Sequence, residues 1–304
     1  MNRPEAAISG VGLVTCLGAS LAQTLQAWKS GQPPPLAAER IAAYPACNAA
    51  ERLGNSRSLR KFMSRQSEMA CLAAREALVM AAVQERVGPE QIGIFSGSGL
   101  AAAEIDPSME LLSASVDEAG CFSARRFASE ALNFINPLFA FHVLGNMPLA
   151  IISILENIKG PNYAFTPWED QSAAALLEGV AAVSSGRLEA ALVVAADNPT
   201  HFATEPWLRE KKILQPDEFS APGAAALRLE APDRAGGRAL AVLSDLDLSP
   251  AHTPASDPLS ARLGRTFAAA PLILAVLSVY LSLPGSMVGS KGHKFSFTVT
   301  PCAE

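Results

Sequence analysis

The chain of 304 residues is 49% apolar and 17% charged, which is enough for a large core in one domain or in two fused halves. Its net charge of -5, without a cluster of lysines and arginines, argues against a nucleic-acid-binding surface. The five cysteines lack C-x-x-C spacing, the four histidines are scattered and no secretory signal is visible, so we expect a cytoplasmic protein with free thiols and no metal.

Strand-like and helix-like segments alternate in the first half of the chain. The predicted elements are a strand at 6–15, a helix from Ser20 to Trp28, a loop at 32–60, a helix at 65–87 and a strand at 92–99. Small and β-branched residues fill 6–15, whereas the apolar residues of 65–87 form one wide helical face. Residues 101–133 are ambiguous.

The alternation continues in the second half. The predicted elements are a helix at 146–157, a strand at 163–166, a helix at 169–186, strands at 190–196, 223–230 and 238–248, a helix at 266–281 and a strand at 294–300. Such alternation favours a layered α/β fold.

Two long uncharged runs, 134–155 and 266–288, have the length of a membrane-spanning helix. Prolines interrupt both runs, at Pro137 and Pro148 in the first and at Pro271 and Pro284 in the second. Because proline breaks a regular helix, core helices and turns fit these runs better than spans, and no membrane contact is predicted.

A strand-to-helix junction stands out at 160–180, GPNYAFTPWEDQSAAALLEGV. Junctions of this kind often carry a nucleophile, because the helix N-terminus stabilises an anion. Here the junction carries Trp168, Glu169 and Asp170 instead of serine or cysteine. Thr166 as N-cap and Glu169 as the third helical residue would form a capping box, which is a purely structural role. Alternatively, Glu169 is a fixed anion or a weak general base.

No other motif predicts a cofactor or a reactive group. The G-x-G patterns at 10–12 and 97–99 lack the full G-x-G-x-x-G of a dinucleotide site. His142 reads as a core residue, and His252 and His293 as loop residues. No cofactor is therefore expected.

Three segments resemble the β-ketoacyl synthases of the thiolase fold. They are ISGVGLVTCLGAS (8–20), IFSGSGL (94–100) and NMPLAIISILENIKGPN (146–162), and GRLEAALVVAADNP (186–199) extends the match. The resemblance implies an α/β, thiolase-like layered αβαβα fold. It also implies an N-terminal half at 1–199 and a reduced second half at 200–304.

The resemblance also implies that catalytic residues are missing. In the family, the acyl-accepting cysteine is the seventh residue after the position of Asn162, where this chain has Glu169. The segment 263–285 resembles the family's Gly-His-Thr helix, with Arg265 at the histidine position and Ser260 at that of a preceding lysine. The second catalytic histidine has no counterpart. Without the thiolate and the histidines, ketosynthase condensation is not expected.

Degenerate relatives of this kind resemble chain length factors, which pair with an active ketosynthase and shape its acyl tunnel, and the chain looks most like the partner subunits of aryl polyene-type systems. The resemblance implies a heterodimer or a higher oligomer with an active β-ketoacyl synthase, and contact with an acyl carrier protein through that complex. The predicted pocket residues are Phe165, Trp168 and Glu169. The predicted interface residues are Phe134, Phe139, Phe141, Asn146, Met147, Asn162, Tyr163, Phe165 and Trp168.

Two other functions stay open at this point. One is a malonyl-carrier decarboxylase that supplies starter units, in which Arg265 is the only obvious polarising group. The other is a homodimer that binds acyl groups without chemistry. The aromatic residues of the predicted interface could equally belong to the core.

Overall fold

The computed structural model describes residues 4–38, 41–45, 48–54, 57–81, 87–99, 109–135, 137–201 and 204–302. The strands in these ranges are β1 (Ala6–Thr15), β2 (Leu36–Ala38), β3 (Ile41–Ala42), β4 (Ile92–Ser98), β5 (Asn162–Phe165), β6 (Ala190–Asp197), β7 (Gly223–Glu230), β8 (Ala241–Pro250), β9 (Ser286–Val288) and β10 (His293–Pro301).

The α-helices in the same ranges are α1 (Leu21–Lys29), α2 (Ala49–Arg52), α3 (Arg57–Arg60), α4 (Arg65–Ala81), α5 (Met109–Ala114), α6 (Ala124–Ser129), α7 (Phe139–Val143), α8 (Met147–Leu155), α9 (Glu169–Ser184), α10 (Thr204–Glu210), α11 (Pro232–Ala235), α12 (Ser260–Leu263) and α13 (Ala270–Ser278). Short 3-10 turns lie at Pro89–Gln91, Ala131–Phe134, Gly236–Arg238 and Phe267–Ala269.

Eight of these strands form one mixed sheet, in the order β5-β4-β6-β7-β1-β8-β10-β9. β5, β4 and β6 are parallel, and every other neighbouring pair is antiparallel. The predicted alternation of strands and helices is therefore confirmed. β7 lies between β6 and β1, so a strand from beyond residue 200 sits among strands of the first half, and the domain division at residue 199 stays a prediction.

Helices cover both faces of the sheet. On one face, α4 and α8 pack against β1, β4, β6 and β7 in a single apolar cluster. On the other face, α9 contacts strands from β4 near one end of the sheet to β10 near the other. α13 packs beside α9 and is buried along almost its whole length. α9 and α13 thus form the core layer that carries the candidate site.

The G-x-G pattern at 10–12 has a packing role. A Cβ atom at Gly12 would lie 1.9 Å from the carbonyl oxygen of Ala73, and one at Gly10 would lie 2.1 Å from that of Ala77. Helix α4 therefore lies directly on β1, at a distance that only glycine permits.

Strand β10 separates apolar from polar side chains. Phe295 and Phe297 are buried, whereas Lys294, Thr298 and Thr300 are exposed. This alternation is typical of a strand with one face on the core and the other in water.

Three predicted elements differ from the structure. The predicted loop at 32–60 contains β2, β3, α2 and α3, which are all four residues or shorter. The predicted helix at 65–87 ends as α4 at Ala81, and residues 82–86 lie outside the described ranges, as do 101–108. The predicted helix at 266–281 starts as a 3-10 turn, because the positive φ of Phe267 (38°) is incompatible with α-helical geometry, and α13 ends at Ser278.

The two long uncharged runs are divided into short elements. The run at 134–155 contains α7 and α8, and the run at 266–288 contains α13, which is 9 residues long. Among the described residues, no helix combines the length and the apolarity needed to cross a bilayer.

Candidate functional site

Helix α9 begins later than the predicted capping box requires. Trp168 is the N-cap, and its carbonyl oxygen accepts the backbone N–H groups of Gln171 at 3.1 Å and Ser172 at 3.4 Å. Glu169 is therefore the first helical residue and not the third, and the Thr166–Pro167 peptide bond before it is cis. The capping-box prediction is wrong, because the Glu169 side chain turns into the core and binds Arg265.

Glu169, Arg265 and Ser290 form a closed triangle of polar contacts. Arg265 Nη2 donates to Glu169 Oε1 at 3.0 Å and to Ser290 Oγ at 2.9 Å, and Ser290 Oγ donates to the same Glu169 oxygen at 2.8 Å. Glu169 is 2% exposed and Arg265 is 1% exposed. The two residues predicted at the family's cysteine and histidine positions therefore meet as a buried ion pair.

Two further carboxylates surround the same guanidinium. Arg265 Nη1 donates to Glu218 Oε1 at 3.1 Å, and Nε lies 3.9 Å from Asp257 Oδ2. Burial opposes the charge of Arg265, but the three carboxylates outweigh it and raise its pKa. Burial raises the pKa of Asp257 to about 6, against the opposing effect of Arg265. The site thus carries one arginine among three acids.

The backbone around Arg265 is held on both sides. Arg265 N donates to Phe219 O at 2.8 Å, and Ala221 N donates to Arg265 O at 3.0 Å. The guanidinium carbon lies 5.1 Å from the ring centre of Phe267, a cation–π contact. The Phe267 ring in turn meets the Trp168 ring edge-on at 6.2 Å. The left-handed backbone of Phe267 places its ring between these two groups.

A fourth acid, Asp197, ends strand β6 near the ion pair. It is 2% exposed, and its Oδ2 accepts the backbone N–H of Ala268 at 3.2 Å. Burial raises the pKa of Asp197 well above its usual range, and the charge of Glu169 adds to that shift. The sequence reasoning missed this residue, although an acid at the end of the apolar run ALVVAAD was a visible signal.

The structure places the predicted interface residues in two groups. Phe134, Phe141, Asn146, Asn162 and Tyr163 are exposed, whereas Phe139, Met147, Phe165 and Trp168 are partly buried. Trp168 packs in a small cluster with Leu208, Leu214 and Phe267. Its predicted pocket position is therefore next to the ion pair.

Among the described residues, this site has neither a metal-binding cluster nor a reactive thiol. No group of three or more histidine, cysteine or acidic side chains within the described ranges is arranged to hold a metal. The buried thiol of Cys16 donates to Leu263 O, and burial raises its pKa to about 12, so it stays protonated at neutral pH. The carboxylate of Glu169 and the guanidinium of Arg265 are engaged with each other.

Comparisons with known proteins identify the family and the fold. The family model for the β-ketoacyl synthase N-terminal domain matches residues 8–246. No curated protein sequence matches the chain.

Several solved structures share the fold. AntDE:AntF, a type II PKS acyl-carrier protein in complex with its ketosynthase bound to the hexaketide, aligns over 99% of this chain and 100% of the other, with 14% identity and a TM-score of 0.78. The ishigamide ketosynthase/chain length factor aligns over 98% and 99%, with 18% identity and a TM-score of 0.73. A β-ketoacyl synthase from Burkholderia phymatum STM815 aligns over 100% of both chains, with 14% identity and a TM-score of 0.75. The predicted thiolase-like α/β fold is thereby confirmed.

Proposed function

The chain belongs to the β-ketoacyl synthase family, and from this premise we propose that it is a non-catalytic, chain length factor-like subunit that pairs with an active ketosynthase. The observation that carries the proposal is the buried ion pair between Glu169 and Arg265. A carboxylate held by a guanidinium cannot accept an acyl chain as a thioester, and this guanidinium has no proton to exchange at neutral pH. The subunit would help to shape the acyl tunnel and would not catalyse condensation.

The need for a partner is supported by a segment rich in exposed apolar side chains, residues 109–144, which we term the arm. Its exposed large apolar residues are Met109, Leu112, Phe122, Leu132, Phe134, Ile135, Phe141 and Leu144. Helices α5 and α6 in the arm contain no buried residue. A surface of this kind is typical of a protein–protein interface.

The edge of the sheet next to β4 supports the same proposal. Among the described residues, β5 is the terminal strand at this edge, and it pairs with β4 on one side only. Tyr163 on this strand is 49% exposed. An open edge with an exposed aromatic residue suits pairing with a strand of another chain.

The partner and the pathway follow from the same proposal. The ishigamide neighbour is a ketosynthase/chain length factor, and the AntDE:AntF neighbour holds an acyl-carrier protein. We extend both associations to this chain. Its heterodimer partner would be an active ketosynthase, and a carrier protein would bind the complex. The pathway would be polyketide or aryl polyene biosynthesis, with fatty-acid-type chemistry as the broader class. Trp168, next to the ion pair, and Phe165, at the end of β5, would help to shape the acyl tunnel.

Co-expression with an intact ketosynthase tests the proposal. We expect a stable 1:1 complex by native mass spectrometry, with labelled acyl groups attached only to the partner. The proposal would be contradicted by a homodimer that does not bind the ketosynthase, or by acyl label attached to this chain. Release of CO2 from a malonyl-carrier substrate by the purified chain, lost in Arg265→Ala, would support the decarboxylase instead. The guanidinium is buried and paired with Glu169 and Glu218, which does not favour that activity.

A further inference from the structure

The turn that joins β9 to β10, Gly289–Gly292, is termed the strap because it lies across the start of α9. Its backbone is ordered by hydrogen bonds from Gly292 N to Gly289 O at 3.0 Å and from Gly289 N to His293 O at 2.9 Å. Gly292 has a φ of +74°, in the left-handed region that glycine favours. Ala251 N donates to Gly292 O at 2.7 Å, so the turn is also tied to the loop after β8.

Three side chains in or next to the strap contact the three residues that open α9. Ser290 Oγ lies 2.8 Å from Glu169 Oε1, Lys291 Nζ lies 4.4 Å from the Trp168 ring centre, and His293 Nδ1 lies 3.8 Å from Asp170 Oδ2. Ser290 thus makes a hydrogen bond to a carboxylate, and Lys291 makes a cation–π contact. His293 and Asp170 attract each other as opposite charges when the imidazole is protonated.

The strap backbone also lies directly on Glu169. A Cβ atom at Gly289 would lie 3.0 Å from the Glu169 Cβ, and Gly289 itself is buried. A side chain at this position would be in tight contact with Glu169, so glycine favours this close approach. This close approach accounts for the 2% exposure of Glu169.

We infer that the strap is a fixed closure that keeps acyl groups away from the position of Glu169 in this subunit. The inference rests on the proposed function, because a subunit without chemistry at this position has no need to open it. Polar contacts on three consecutive residues of α9 hold the closure. An acyl chain elongated by the partner would therefore bypass Glu169.

The rate of thiol alkylation at position 169 measures access to the site. The test protein carries Glu169→Cys, with Cys47, Cys121 and Cys302 changed to serine. The adjacent guanidinium favours the thiolate, so slow alkylation by iodoacetamide reports closure and not a protonated thiol. We expect the native protein to react at least about 100-fold more slowly than the same protein in urea, because alkylation then requires local opening.

Variants of the strap complete this test. Glu169→Cys already removes the carboxylate that Ser290 contacts. Lys291→Ala combined with His293→Ala then removes the two remaining contacts and should raise the alkylation rate at least about tenfold. Lys294→Ala, which removes an exposed cation on β10, is the matched control and should leave the rate unchanged. An equal rate in native and unfolded protein, or no effect of the double variant, would overturn the inference.

Hydrogen exchange in the unaltered chain gives a second measurement that does not depend on the stability of the variants. The amides of Gly289 and Gly292 should exchange within about tenfold of the rate of the Phe297 amide in β10, because all three are hydrogen-bonded in an ordered hairpin. Exchange more than about 100-fold faster than Phe297 would show an open strap and overturn the inference. A 1:1 complex with the ketosynthase would then leave the proposed function intact.

Discussion

Arg265 Nη2 and Glu169 Oε1 lie 3.0 Å apart although the two residues are 96 positions apart in the chain. The resemblance predicts that each residue stands where the family has a catalytic side chain of another type, and the two side chains are complementary in charge. A buried carboxylate alone would cost several kcal/mol, so each change is tolerable because of the other. In this structure the two side chains form a buried structural contact.

Removing only the arginine should destabilise the fold strongly. Arg265→Met leaves Glu169, Glu218 and Asp257 without their shared cation, and we expect a loss of about 3–5 kcal/mol in the free energy of unfolding. The double variant Glu169→Leu/Arg265→Met should be less destabilised than Arg265→Met alone. Urea denaturation measures both. A loss below about 1 kcal/mol for Arg265→Met would contradict the structural role of the ion pair.

An exposed ion pair supplies the control for this experiment. Lys211 and Glu210 lie 2.7 Å apart, and their side chains are 51% and 69% exposed. Because water and salt screen such a pair, Lys211→Ala should change the unfolding free energy by no more than about 0.5 kcal/mol.

Asp257 should make stability depend on pH below neutrality. Burial raises its pKa from 3.8 to about 6, so the folded protein holds this proton more tightly than the unfolded chain does. Its contribution to stability is therefore full below about pH 4 and is lost as the pH rises through about 6. The loss amounts to about 3 kcal/mol. Asp257→Asn does not titrate, so the stability of the parent relative to this variant should fall between pH 4 and pH 7 in urea titrations.

Glycine at position 12 should be indispensable for packing. Gly12→Ala would drive a methyl group into the carbonyl oxygen of Ala73, and we expect a loss of about 3 kcal/mol or more. Gly31→Ala is the matched control, since open space surrounds Gly31 and only its φ of +72° opposes a side chain. That variant should lose about 1–2 kcal/mol. Equal losses in thermal or urea unfolding would show that the contact with α4 is not decisive.

A negative charge introduced in the arm should weaken the complex with the ketosynthase without lowering the stability of the fold. Phe134 is 48% exposed, so Phe134→Asp should change the unfolding free energy by about 0.5 kcal/mol or less. Its affinity for the ketosynthase should fall at least about tenfold, or by about 1.4 kcal/mol. Val79→Asp, at a 70% exposed position of α4 outside the arm, should leave affinity unchanged. Binding by Phe134→Asp at full strength would place the interface elsewhere.

The secondary structure could be predicted from the sequence wherever the pattern was strong. β1 and β7 have the predicted bounds, and Ser20 caps α1 as predicted through a bond from Gln23 N. The four short elements within 32–60 were missed, because segments of two to four residues carry no period. The start of α13 was missed because Phe267 has a positive φ, which no feature of the local sequence indicates.

The candidate site could be predicted only in part. The resemblance located Glu169 and Arg265, but local spacing could not show that they are bonded. Glu218, Asp257 and Ser290 belong to no motif, and they reach the guanidinium only because three separate loops converge on it. The capping box failed for a related reason, since a distant arginine outweighed a local contact.

The alternation of buried apolar and exposed polar side chains along β10 bears on which surface of the molecule can bind a partner. The exposed lysine and threonines of β10 keep that face of the sheet hydrated, so a partner would bury little apolar surface by packing there. The apolar arm and the open end of β5 offer the contrasting flank. If only this side binds a partner, as the proposed function requires, we expect closed pairs instead of open-ended filaments.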